Sequence, residues 1–377
     1  MSGALQQLTA LMRGDADGAP TADRLVEWER VVDVARRNGL CGLLLESARS
    51  QATNIPEAAE RQLRSETDHC ASVNRYALSR LTEIAGSFRD AHIDLMVLKG
   101  AALIADLYGD PGLRPMSDLD LLIHPCDADR ADGLLRLLGF DRGQSLLTCD
   151  FYPRYHYETE YRQRGPRPLR LDVHVRPWRP LRYGRLIPAY ALWGDKREVI
   201  VGAGTMNVPG RTEMLIHLLG HAAFHGADRL LWLVDIHRYA TVHHCDIDWR
   251  QFTTRLEDWR LTCASRLAID CTERSLGPCI PDHVRSALAT ARPNWRDRLA
   301  RWQAPRDRRH PAMRTCVDLL CTPGWRFRLG YLRAVLFPDA GHLAPLYCRR
   351  HVGWRWCAHL MRLRSAIRSF VPRRISE

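Results

Sequence analysis

Lysine is almost absent from this 377-residue chain. Of its 55 basic residues only Lys99 and Lys196 are lysine, and the other 53 are arginine. A sequence so committed to the planar guanidinium keeps a compact ammonium on a flexible stem where the fork will not serve. Long apolar runs are also missing. None approaches the ~18–20 residues that a bilayer crossing needs, so no transmembrane span is expected. The twelve cysteines form no C-x-x-C pair, and several (Cys41, Cys263, Cys316) fall in helical patterns. They read as reduced, buried thiols of a cytoplasmic protein rather than a zinc or disulfide framework. No basic leader followed by an apolar block opens the chain, and no secretion signal is expected. Internal repeats and low-complexity tracts are lacking.

What is present is an ordinary globular composition, 46% hydrophobic and 26% charged, over a length that suits two or three domains. The charge is uneven. Residues 301–377 hold 16 Arg, no Lys and four acids, which accounts for the whole +12 net charge.

Three segments follow from the periodicity. Residues 1–90 read as helices: Leu25, Trp28, Val31, Val32 and Ala35 form one stripe ending at Asn38-Gly39. A longer stripe runs from Ala58 to Phe88 after Ile55-Pro56. Residues 91–208 mix short strands and helices, with a helix expected over Pro125–Phe140 and an antiparallel hairpin over Tyr155–Val175. A further short pair is expected at Glu198–Val201 and Thr205–Val208. Residues 209–377 read as a helical C-terminal domain with a basic, Arg- and Trp-rich end. The fold class is therefore α+β, a small mixed sheet with helices, flanked by helical segments at both ends.

The sharpest chemical signal lies between Ile93 and Ile123. An apolar run, Ile93–Leu98, meets Lys99-Gly100; a short helical pattern and the turn-rich Gly109-Asp110-Pro111-Gly112 follow; then Ser117-Asp-Leu-Asp-Leu-Leu-Ile123 alternates acid and aliphatic. Side chains two apart in a strand share a face. Asp118 and Asp120 then lie roughly 7 Å apart along one face, while Leu119 and Leu121 enter the core. Two such carboxylates repel, and the pair wants a cation. Leu169–Val175 supplies a third acid, Asp172, on the face it shares with Arg170 and His174. If that strand lies beside the first, three carboxylates converge, about the number that two divalent ions ~4 Å apart require. Oxygen-only ligation favours Mg²⁺ or Mn²⁺ over zinc.

Strand, Gly-containing turn, helix, D-h-D strand and a later Asp strand resemble the superfamily of nucleotidyltransferases that includes polymerase beta. More narrowly, LKGAALIADLY, DPGLRPMSDLDLL and LDVHV resemble the bacterial uncharacterised nucleotidyltransferases. That resemblance implies a nucleotidyltransferase-type sheet and a Mg²⁺-dependent transfer of NMP from an NTP (ATP among them) to a hydroxyl. Asp118, Asp120 and Asp172 would then be both metal ligands and catalytic residues. One departure stands out: the usual Gly-Ser or Gly-Gly phosphate turn reads Lys99-Gly100-Ala101. Lys99, Arg114 or Ser117 would substitute for the missing hydroxyl, with the backbone at Gly100 beside the phosphates. His174 would orient Asp172 or meet the acceptor. The family's genomic company hints at a small-molecule or peptide acceptor.

Other readings remain open. A retired site would leave a non-catalytic nucleotide- or nucleic-acid-binding protein. A D-x-D glycosyltransferase would need several βα units before the acids, whereas one strand precedes Asp118. His217, His221 and His225, four apart on a helix and followed by Asp235, suit a transition metal by spacing. The sequence lacks the H-E-x-x-H glutamate, and His221 or His225 could instead line the nucleotide or acceptor pocket. The end of the chain (Trp325, Arg326, Arg328, Arg349, Arg350, Trp354, Arg355, Trp356, Arg362, Arg364, Arg368) fits a solvated basic face with Trp packed inward, nucleic acid, or an anionic membrane surface.

Overall fold

The two apolar runs of the acid stretch become the middle of the sheet. In the computed structural model, residues 3–14, 25–143, 155, 157–178, 181–296, 298–299, 316–317 and 319–337 are described. Strand β1 (Leu95–Leu98) is buried at every position, as a strand covered on both faces must be. It pairs antiparallel with β2 (Leu119–Ile123), Leu98 opposite Asp120. The remaining strands are β3 (Phe140–Arg142), β4 (Glu158–Gln163), β5 (Arg170–His174), β6 (Arg197–Val201) and β7 (Gly204–Val208), and the seven-stranded order is β3-β4-β5-β2-β1-β7-β6. β2 and β5 are parallel, as are β1 and β7. β3, β4 and β5 form an antiparallel meander and β6 and β7 a hairpin. The fold is α+β with a mixed sheet, and both expected strand pairs are present.

Helices enclose the sheet. α1 (Gly3–Met12), α2 (Leu25–Asn38), α3 (Cys41–Ser50) and the long α4 (Glu57–Asp90) precede it, and α4 packs on β1 and β7. α5 (Lys99–Leu103) runs into a π-turn, Ile104–Tyr108, and α6 (Ala128–Leu137) follows a 3-10 turn at Pro125–Asp127. The helix expected within Pro125–Phe140 closes at the glycine: Gly139 takes φ +85° and Phe140 opens β3. After α7 (Leu181–Leu186) come α8 (Arg211–Phe224), α9 (Leu230–Val242), α10 (Trp249–Asp258), α11 (Thr262–Leu276), α12 (Asp282–Ala289) and α13 (Trp325–Leu336). α8, α9 and α11 pack on one another. One apolar cluster runs from Leu8 to Leu288, so sheet and flanking helices share a core; Tyr155, Leu319 and Tyr331 form a small second one.

Two polar side chains hold the turn-rich segment before β2. Asn74, buried in α4, donates to the carbonyls of Pro111 (2.7 Å) and Arg114 (2.8 Å), groups a buried loop would otherwise leave unpaired. Asp106, in the π-turn, accepts from Arg197 at 2.7 Å and also pairs with Arg211, tying that turn to β6 and α8. No described helix is long and apolar enough to cross a membrane. Trp325, expected to pack inward, is 65% exposed. Arg349, Arg350, Trp354, Arg355, Trp356, Arg362, Arg364 and Arg368 lie outside the described residues.

Candidate active site

The parallel register of β2 and β5 sets Asp120 directly beside Asp172. Asp118 is the residue before β2, and its Oδ1 accepts from Ser117 Oγ at 3.0 Å. All three acids line a single cavity of about 400 Å³, together with Lys99, Gly100, Arg114, Ser117 and His174. β2 and β5 thus lie side by side, as any convergence of these acids requires. Asp120 is 5% exposed, Asp172 9% and His174 1%, because the polar face of β2 and β5 is roofed rather than open to solvent.

Burial makes the charges interact strongly. The Asp172 carboxyl is pushed up to about 7, first by desolvation and then by the nearby carboxylates of Glu158, Asp120 and Asp118. Asp118 is raised for the same reasons, burial and then Asp120. Asp120 goes the other way. Desolvation opposes its charge, yet Lys99 Nζ at 2.6 Å and His174 Nε2 at 2.9 Å, both on Oδ1, hold it well below the usual carboxylate range. Lys99 in turn is raised: burial opposes its charge and Asp120 outweighs it.

The sequence reading missed Glu158. It lies opposite His174 across β4 and β5, with its Oε2 3.6 Å from His174 Nε2, and it lines the same cavity. Its segment, Tyr155–Tyr161, reads as a row of tyrosines; the hairpin register alone marks the glutamate. Arg170 lines the cavity too.

Two site residues have different partners from those expected. Arg114 reaches the cavity wall, but its Nε and Nη2 form a fork on Asp235 (3.0 and 2.8 Å), whose Oδ1 also accepts from Tyr108 at 2.7 Å. Asp235 thus anchors the segment before β2 to α9 and is no partner of the histidines. Gly100 is required by close approach: a Cβ there would sit 2.8 Å from Arg114 Nη1 and from Met116 Cγ.

The two histidines of α8 and His225, which caps it, do not meet at one point: His221 and His225 pair, rings 4.7 Å apart, and His217 faces elsewhere. His217 is fully buried against Trp178 (rings 5.7 Å apart), and neither ring nitrogen has a partner among the described residues. Desolvation, then the charges of Lys99 and His174, lowers it to about 3. His221 and His225 line the cavity with Phe224 and Trp232, their rings 4.8 and 5.3 Å from the indole. His221 is held well below its ordinary value by burial and by Lys99. Gly220 allows this packing, since a Cβ would sit 2.6 Å from Trp178 Nε1.

Comparison with known proteins agrees with the geometry. A family model described as uncharacterised nucleotidyltransferase matches residues 24–277. The chain belongs to the uncharacterised nucleotidyltransferase family. The match takes in every acid of the cavity and both helices, α8 and α9, that contribute its rings. No curated protein and no solved structure matches the chain.

The donor set of this family member fits a hard divalent cation in kind: the acids are all carboxylates, and Asp172 is raised by burial and then by the carboxylates around it. As the side chains stand, no three Asp, Glu, His or Cys among the described residues are close enough together to hold a metal ion. Asp120 is committed to Lys99 and His174.

Proposed function

We propose that the protein is a Mg²⁺- or Mn²⁺-dependent nucleotidyltransferase that moves an NMP from an NTP to a hydroxyl of a small-molecule or peptide acceptor. The observation that carries the reading is the meeting of Asp118, Asp120 and Asp172 in one cavity of nucleotide size, in a chain of this family. These three carboxylates would hold the metal, which when bound neutralises the triphosphate and acidifies the acceptor hydroxyl. Asp172, as a carboxylate beside the reacting oxygen, accepts the hydroxyl proton. The acceptor oxygen bonds to the α-phosphorus as the bond to the bridging oxygen breaks, and pyrophosphate leaves. Lys99 and Ser117 offer donors to the phosphates, and His174 keeps Asp120 oriented through its 2.9 Å contact. The roof of α8 and α9 limits water at the reacting atoms.

The experiment is intact-mass analysis of candidate acceptors, and of the protein itself, after incubation with each NTP and Mg²⁺. A gain of one NMP that vanishes in Asp118→Asn supports the reading. The competing one, a nucleotide-binding protein with retired chemistry, is favoured by the engagement of Asp120 with Lys99. Radiolabelled NTP retained without transfer would select it.

A further inference from the structure

The cation beside the acid pair is part of the chain. Lys99 Nζ lies 2.6 Å from Asp120 Oδ1, the same oxygen that His174 Nε2 approaches at 2.9 Å. No described cation lies within ion-pairing distance of Asp172, although it is the immediate neighbour of Asp120 across the strands. One of two adjacent carboxylates therefore has an ammonium and an imidazole on the same oxygen, and the other has no cation within ion-pairing distance among the described residues.

The backbone at Lys99 is also unusual. Its φ is +44°, a left-handed conformation that side chains other than Gly, Asn or Asp seldom adopt. Strain of this kind persists where the surroundings enforce it and clusters at working sites. Here the surroundings are β1 on one side and, on the other, Gly100 packed hard against Arg114 and Met116. They direct the side chain of one of the chain's two lysines onto an acid of the cavity. An arginine fork would pair with a carboxylate as well; a single ammonium on four methylenes is easier to move off.

We infer that Lys99 is a tethered counter-ion. It holds Asp120 until a metal–nucleotide complex takes that carboxylate, and the freed ammonium then moves to the incoming phosphates. This rests on the nucleotidyltransferase reading for the identity of the incoming cation. It explains why the acids of the cavity form no ready metal cluster although they face one space. It also couples the two ligands: a bare divalent ion must displace the ammonium with nothing to receive it, whereas a metal arriving with a triphosphate supplies its new partner. Such coupling is reciprocal.

The test measures Mn²⁺ binding to the full chain by the loss of the free-ion EPR signal, with and without an α,β-methylene NTP that cannot be turned over. The native protein is expected to bind Mn²⁺ at least about tenfold more tightly with the analogue than without it. Lys99→Met should bind Mn²⁺ alone about tenfold more tightly than the native chain, and the analogue should add little. Lys99→Arg, which keeps the charge, should stay within about threefold of native for Mn²⁺ alone. Because Lys99→Met leaves Asp120 with His174 as its remaining contact, its fold is followed by thermal unfolding in EDTA; a larger Mn²⁺-induced rise in midpoint than in the native chain gives the same answer if the variant is less stable. Mn²⁺ bound by the native chain but no more tightly by Lys99→Met would overturn the inference alone and leave Lys99 a structural partner of Asp120. No Mn²⁺ bound by either protein, with or without analogue, would overturn the metal-dependent reading too.

Discussion

Along the strand wall of the cavity carboxylates are held by polar and charged partners; the helix wall contributes rings. The first wall has Asp118, Asp120, Glu158 and Asp172 with Lys99 and His174 among them, and the second has His221, Phe224, His225 and Trp232. Both walls carry imidazoles, and their fates differ. His174 lies against Asp120, with Glu158 close by. His221, crowded by rings and facing Lys99 at longer range, is kept neutral. The same side chain therefore serves as a polar clamp on one wall and as an uncharged flat surface on the other. Neighbours decide which. The strand wall should respond to pH and metal, and the helix wall to the shape of what enters.

The harshest way to break this contrast is on the strand wall. Asp118→Asn should lower NMP transfer by about a thousandfold or more, the scale of losing a group that stabilises charge at the reacting atoms. Pyrophosphate release measures it, and circular dichroism should show the fold intact. Asp120→Asn is the poorer probe. It leaves Lys99 buried beside an amide, at about 3–5 kcal/mol of stability, so lost activity and lost folding would be mixed. Urea unfolding of the two variants distinguishes them.

Next in size is the strut between the walls. Arg114→Met strips Asp235 of its bidentate partner at a site where both are almost fully buried. The expected loss is about 3–5 kcal/mol, read as a lower urea midpoint.

Asp172 provides the pH test. Its folded carboxyl, near 7, is raised above the unfolded value of about 3.9. The folded chain therefore binds that proton more tightly, and the associated stability is full below pH ~4 and lost as pH rises through about 7. In EDTA at pH 8, Asp172→Asn should be more stable than the native chain by about 4 kcal/mol, and the gap should close towards pH 4. An Asp172→Asn curve parallel to the native one would show that Asp172 feels no crowding of negative charge.

The smallest expected effect lies on the helix wall. Trp232→Ala should weaken NTP binding by about tenfold, the loss of one stacking ring, and leave inorganic triphosphate binding unchanged. Equal losses for both ligands in equilibrium dialysis would mean that the rings shape the cavity without meeting the base.

The strand wall was largely legible in the sequence and the helix wall was not, for a physical reason. Alternation has a period of two, so Asp118-Leu-Asp120 and Leu171-Asp-Val-His174 announce a shared face. The apolar positions around them fix the register that sets Asp120 against Asp172. Glu158 lies in an equally regular strand, yet nothing within Tyr155–Tyr161 separates it from Glu160, whose carboxylate faces Arg162 and Arg170 instead. Only the pairing opposite His174 does so. Arg114 and Asp235 are 121 positions apart, and no local pattern joins them; hence Arg114 read as a phosphate ligand and Asp235 as a companion of the histidines. The histidine spacing of four is real, but the ring orientations that keep His217 inward depend on Trp178 and Gly220, which meet only in three dimensions.

The side-by-side alignment of β2 and β5 has a consequence for how this family can diversify. The two central acids are neighbours through a backbone ladder, while the fifty-odd residues that separate them along the chain build α6 and the sheet's outer strands β3 and β4. A change of length in the turns between those elements leaves the spacing of Asp120 and Asp172 fixed, because the ladder and not the intervening chain sets it.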